Sequence, residues 1–137
     1  MTSSQPALTN IRRLQPLRIL LAGTDRRFIR VTSFLLSRRG YVVVSTQPAH
    51  VMDAAERHRA DVVLLEGSLS RTAAARRVAD LASLAAAPAV LVVTDGDTGA
   101  LNGVSAVEKW TPLETLVAEI EAVSLQRHPA ADETLDL

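Results

Sequence analysis

Cysteine is absent from the 137 residues, which excludes disulfide staples, thiol nucleophiles and cysteine-based metal sites without fixing a compartment. Lysine is nearly absent, Lys109 being the sole one. Acids are scarce at one end: before residue 41 Asp25 stands against eight arginines, Arg12, Arg13, Arg18, Arg26, Arg27, Arg30, Arg38 and Arg39. With a formal net charge of zero, the N-terminal third is therefore basic and the remainder acidic. No stretch approaches the roughly 20 apolar residues of a membrane span. The opening MTSSQPALTNIRRLQP has no apolar run behind a basic patch, so a cytoplasmic protein with no membrane contact is expected. The multi-glycine fingerprints of phosphate loops are missing, leaving Gly23 as an isolated glycine before a helix start. His50, His58 and His128 lack the spacing of a metal site or a triad. No enzyme, no cofactor and no metal is expected. The basic third could argue for nucleic acid, but its single helix has no recognition partner and the net charge is neutral, so no nucleic-acid role is expected.

What is present is a 47% hydrophobic chain of a length that suits one domain with an ordinary core. Its periodicity alternates between strand-like and helix-like. Residues 1–16 carry no sustained pattern and read as a flexible N-terminal tail; residues 17–126 read as the domain and 127–137 as a C-terminal tail. Strands are expected at 17–22, 41–45, 61–65, 89–93 and, more weakly, 104–107. A helix over 25–39 places Phe28, Val31, Leu35 and Leu36 on its buried face, with Asp25 at its start and Gly40 stopping it. Further helices are expected over 48–58 and 71–86. In the last helix Thr111, Pro112 and Glu114 form a capping box, and Leu113, Leu116, Val117, Ile120 and Val123 form the buried stripe. This alternation implies an α/β fold with a parallel sheet covered on both faces.

Three polar residues fall at the carboxyl ends of successive candidate strands, where open α/β sheets place their sites. Glu66 closes the run Asp61-Val62-Val63-Leu64-Leu65, Thr94 closes Ala89-Val90-Leu91-Val92-Val93, and Lys109 follows the last short strand. Taken singly, these are a solvated strand-end acid, a turn-initiating threonine and a surface lysine. Their joint placement is what marks a site.

Most of the chain, 17–126, resembles the receiver domain of bacterial two-component response regulators, through LRILLAGTDRRFIRVTSFLLSRRGYVVVST, ADVVLLEGSLS, APAVLVVTD and VEKWTP. The resemblance implies a flavodoxin-like fold with a single doubly wound five-stranded parallel sheet. It also implies a pocket in which the metal-binding acids fall on Gly23 and Thr24, the phosphate-accepting aspartate on Glu66, the switch hydroxyl on Thr94 and the phosphate-binding lysine on Lys109. The aromatic switch position falls on Ala106, and the proline after the lysine is replaced by Trp110. Phosphoryl transfer relies on positioning and on a metal held by oxygen ligands. An acceptor one methylene longer, beside a loop without its acids, therefore implies a degenerate pocket. Glu66 is expected to reach toward Lys109 and Thr94 in place of an aspartyl phosphate, and Asp25 to be occupied capping its helix.

Two features bear on partners. On a helical wheel of 25–39, Arg26, Arg27, Arg30 and Arg38 gather opposite the buried stripe with Phe34 among them, a candidate docking patch. The segment between Thr94 and Lys109 is short, so the fourth helix is expected to be shortened or missing. Apolar sheet surface near Val92 and Val107 then needs cover from Trp110, a tail or a second subunit, and a homodimer is expected. The reading is an atypical single-domain receiver that works as a phosphorylation-independent interaction module, with a signalling partner such as a histidine kinase or a regulator. Two alternatives stay open: a receiver accepting phosphate on Glu66 from a histidine kinase, and an unrelated small-ligand domain of the same fold.

Overall fold

The computed structural model describes residues 15–66, 71–95 and 103–136, the side chains of Arg71 and of 127–136 excepted. Five strands, β1 (Arg18–Ala22), β2 (Val42–Thr46), β3 (Val62–Glu66), β4 (Ala89–Thr94) and β5 (Ser105–Glu108), form one parallel sheet in the order β2-β1-β3-β4-β5. All five residues of the central strand β3 are buried, as expected of a continuous apolar run in a sheet with both faces covered. The edge strands β2 and β5 are only partly buried. This is the flavodoxin-like strand order, in which the chain reverses its winding between β1 and β3.

The helices are α1 (Arg26–Arg38), α2 (Val51–His58, after a 3-10 turn at Pro48–His50), α3 (Arg71–Ala82) and α4 (Leu113–Asp136). One face of the sheet packs Ile19, Leu21, Leu64, Leu91 and Val93 against Phe28 and Leu36 of α1 and against Leu116, Ile120 and Val123 of α4. The other packs Leu20, Val63 and Leu65 against Val51, Ala54 and Ala55 of α2 and Leu81 of α3. The chain leaves α1 through Gly40, whose φ of 98° is a left-handed conformation natural to glycine. The Gly40 N–H donates to Ser37 O and the Tyr41 N–H to Leu36 O, closing the helix end.

Several local expectations are corrected. In α1 the buried residues are Phe28, Thr32 and Leu36, one helical row, while Val31 and Leu35 are 37% and 36% exposed; the polar Thr32 masked the true row. Helix α3 ends at Ala82 rather than near 86, where the Ser83 N–H and hydroxyl both donate to Asp80 O. Glu114 does not reach back to form a capping box. It accepts from Arg39 at 2.8 and 3.3 Å, joining the end of α1 to the start of α4. Helix α4 continues in its backbone through 127–136, the segment read as a tail. Val92 and Val107 do not share a face: Val92 pairs in register with Ala106, and Val107 with Val93, so Val107 belongs to the α1/α4 side.

The connection from β4 to β5 is short. Carrying the chain back along a six-residue strand, about 20 Å at roughly 3.3 Å per residue, takes about 13 helical residues at 1.5 Å each. Only residues 95–104 are available. The remainder of the expectation for a fourth helix falls on 96–102, outside the described residues, as do the tail residues 1–14. Among the described residues the chain thus has four α-helices around five strands.

Candidate functional site

The site lies where β1, β3 and β5 end. Glu66, the last residue of β3, is 1% exposed and its carboxylate is engaged on both oxygens. Oε1 accepts from the backbone N–H groups of Thr24 at 3.0 Å and Asp25 at 3.2 Å; Oε2 lies 3.0 Å from Lys109 Nζ. The side chain reaches those amides because Gly23 leaves the way open. A Cβ built on Gly23 would overlap Glu66 Oε1 and stand 2.9 Å from Glu66 Cβ. The glycine and the longer acid are therefore two halves of one fit: the side-chain space missing at Gly23 is filled by Glu66.

Asp25 has two roles. Oδ1 accepts from the Phe28 N–H at 3.1 Å, capping α1 as expected, and Oδ2 accepts from Lys109 Nζ at 2.9 Å. Those contacts, the Phe28 N–H first and the Lys109 ammonium second, hold its carboxyl below the usual carboxylate range. Asp95 Oδ1 lies 3.7 Å from the same ammonium. Burial alone pushes the Lys109 amine toward neutrality, but the hydrogen bonds it donates to Asp25 and Glu66 outweigh it and raise its pKa well above the ordinary value. A nearly buried ammonium thus sits among three carboxylates and stays charged.

Thr94 is the last residue of β4. Its hydroxyl donates to Val107 O at 3.2 Å, and its carbonyl accepts from the Lys109 N–H at 2.6 Å. It stitches β4 to β5 and fixes the height of Lys109. Thr24 contributes its backbone N–H.

The resemblance implies a divalent metal, and the residues present do not fit one. Gly23 offers no side-chain oxygen, both oxygens of Glu66 and of Asp25 are engaged, and the Lys109 ammonium occupies the centre at which the carboxylates converge. A magnesium ion takes hard oxygen ligands in near-octahedral geometry.

Sequence reasoning missed the Asp25–Lys109 pair, separated by 84 positions, and the aromatic group behind it. Lys109 Nζ lies 5.8 Å from the centre of the Phe28 ring, and Phe28 meets Trp110 edge to face, ring centres 5.3 Å apart at 81°. Charge counting carried a signal for the first: the lone acid of the basic third and the lone lysine are natural partners. The docking-patch residues Arg26, Arg27, Arg30, Phe34 and Arg38 are all exposed, and the Arg38 guanidinium lies 5.7 Å over the Phe34 ring.

No protein-family model and no curated protein sequence matches the chain. Solved structures do. A response regulator receiver domain protein from Bacillus halodurans is 19% identical, with 79% of this chain and 97% of that one covered at a TM-score of 0.60. A CheY-like receiver domain protein from Methanospirillum hungatei is 16% identical over 83% and 98%, at 0.69. A Vibrio cholerae chemotaxis protein is 18% identical over 79% and 98%, at 0.66. At these identities the likeness is one of fold, and the chain has the fold of a response regulator receiver domain.

Proposed function

We propose that the chain is a receiver-fold signalling module of the two-component type that acts through protein contacts, without phosphoryl transfer. The observation that supports this is the Glu66 carboxylate seated over Gly23, held by two backbone amides and by Lys109. A nucleophile needs a free oxygen aimed at the incoming phosphorus, and misplacement of a reacting atom by about 1 Å already costs on the order of a hundredfold. Both Glu66 oxygens are already held, Oε1 by two backbone amides and Oε2 by Lys109, so turning one toward phosphorus would break these contacts. In this reading Glu66 supplies the anion that Lys109 would otherwise find on a phosphoryl group, holding the strand-end loops in one state.

The partner is a signalling protein, a histidine kinase or a regulator, met in the cytoplasm; no enzymatic, nucleic-acid or membrane role is proposed. A homodimer is part of the reading. The groove lined by Val78, Ala82, Ala86, Val90, Val104 and Val123 lies beside the short β4–β5 connection, and a second copy is its proposed cover. Sedimentation over a range of concentrations tests this, and a monomer at high concentration would remove the dimer.

The decisive experiment adds acetyl phosphate, or beryllofluoride, with magnesium and follows Trp110 fluorescence and intact mass. No saturable change is expected. A magnesium-dependent, saturable response with a phosphate mass increment that disappears in Glu66→Gln would favour the alternative, a receiver accepting phosphate on Glu66.

A further inference from the structure

Helix α1 turns a threonine inward. Thr32 stands between Phe28 and Leu36 on the buried row and is 5% exposed, at a place where valine would offer the same shape. Among the described residues its hydroxyl makes no hydrogen bond. A hydroxyl withdrawn from water without a partner costs free energy that an apolar side chain of equal size does not. The packing of the core therefore gives no reason for a threonine here, and such a group calls for a partner from outside the fold.

Thr32 lines a cleft between α1 and α4. Phe28 and Val107 form its floor, Val31 and Leu35 one wall, and Trp110 and Leu113 at the start of α4 the other. Its enclosed space is about 50 Å³, small beside the roughly 150 Å³ of a protein cavity that holds a benzene ring, so it admits a short chain and not a ring system. Among the described residues the one charged member of the lining is Glu108, which disfavours an anion. Trp110 marks the mouth independently. It is 54% exposed, stands edge-on to Phe28 and is held at φ 68°, a left-handed conformation unusual for a bulky residue and often found where a ligand is clamped.

We propose that this cleft binds a small uncharged amphiphile, a short-chain aliphatic alcohol, with its hydroxyl on Thr32 and its alkyl chain between Leu35 and Leu113, ending against Trp110. An alcohol both donates and accepts, as the threonine hydroxyl does, so a single ligand group satisfies Thr32 while the chain covers the apolar walls. Small apolar ligands with one well-placed polar group are what such concave sites select. A water molecule is the competing occupant. It needs several polar partners to be held, and the walls made by Val31, Leu35 and Leu113 supply none. The site is separate from the Glu66 pocket and does not depend on how that pocket is read.

The test titrates n-butanol into the isotope-labelled whole chain and reads amide chemical shifts together with Trp110 emission. Butyrate, which is charged, and n-butyl chloride, which has the chain without the hydroxyl, are the comparators. The expected result is saturable shifts confined to 28–36 and 107–116, with affinity about fivefold lower or worse for both comparators, the range that loss of one hydrogen bond gives. Thr32→Val should weaken n-butanol binding by a similar factor and yet unfold at the same temperature as the parent or higher, a combination that a threonine needed for the fold would not show. Thr32→Ser keeps a hydroxyl and should keep the binding, and Phe34→Ala, outside the cleft, should leave it unchanged. Equal affinity for n-butyl chloride, equal binding by Thr32→Val, a destabilised Thr32→Val, shifts that grow linearly over the whole chain, or no binding at tens of millimolar would each overturn the proposal. A chain that takes phosphate yet still binds n-butanol through Thr32 would overturn the phosphate-independent reading and leave this one standing.

Discussion

Phe28 separates two regions built from neighbouring residues and finished in opposite ways. On one side the ends of β1 and β3 form a pocket in which Glu66, Asp25 and Lys109 satisfy one another. On the other, the cleft between α1 and α4 leaves Trp110, Val31 and Leu35 exposed. Polar groups taken out of water cost several kcal/mol each unless paired, so the first region is closed by its own side chains. Apolar surface left in water costs less per residue and is a resource for binding. The pocket at the strand ends is thus closed by its own side chains, while the cleft beside it stays open to solvent.

Breaking the sealed side should give the largest effect. Lys109→Ala leaves Glu66 as a buried carboxylate without its counter-charge, a loss of about 3–5 kcal/mol for a buried pair. Urea denaturation should show it as a lower midpoint with an unchanged slope. Adding Glu66→Gln should recover part of the loss because the uncompensated charge is then gone. If the double variant were merely additive, the two side chains would not be coupled as their 3.0 Å separation indicates.

The fit between Gly23 and Glu66 gives the next effect. Gly23→Ala places a methyl where Glu66 Oε1 now sits, and overpacking of this kind costs about 1–3 kcal/mol. The same substitution made on Glu66→Ala should be close to neutral, since the volume has been vacated. A Gly23→Ala variant as stable as the parent in thermal unfolding would mean that Glu66 has another seat.

How much of this was legible follows from the same residues. The strands were readable because β3 and β1 are continuous apolar runs, and the site was readable as a place because strand ends in this topology converge. The Glu66–Lys109 contact was expected from the resemblance. The outward row on α1 was not: Thr32 sits on the buried row, so apolar periodicity drew Val31 and Leu35 inward, and only packing against the sheet resolves which row is inside. Nor was the Arg39–Glu114 pair readable, because the capping-box pattern offered Glu114 a local partner while the partner it takes is 75 positions away. Local sequence reports local partners, and crossings between α1 and α4 exist only once the sheet has brought the two helices together.

The pH dependence sharpens the comparison, because the contacts of the sealed region shift two of its own groups, Asp25 and Lys109. Asp25 is held below its ordinary pKa, so its contribution is fully present above about pH 4 and is lost as pH falls through the lowered folded value. Lys109 is raised, so its contribution is fully present below about pH 10.4 and is lost as pH rises through the raised folded value. A stability plateau between these limits is expected in thermal midpoints measured across pH. Asp25→Asn should flatten the acid limb and also move the alkaline limb to lower pH, since Asp25 supplies part of what raises Lys109. An acid limb unchanged in that variant would assign it to other carboxylates.

The smallest effect belongs to the contact that joins α1 and α4 at the far end of the cleft. Glu114 is 80% exposed in its side chain and Arg39 36%, so the bidentate geometry works against water and salt, and exposed pairs often contribute nothing measurable. Arg39→Ala and Glu114→Ala should therefore shift the unfolding midpoint less than any variant above, with the difference vanishing at high salt. Their use is in the open region. The pair ties the end of α1 to the first turn of α4, which carries the Leu113 wall of the cleft, so its loss should relax that wall without unfolding the domain. Trp110 emission, read alongside the midpoint, separates the outcomes. A changed emission at unchanged stability means the pair positions the cleft, and an unchanged emission means the cleft is held by Phe28 and the core alone.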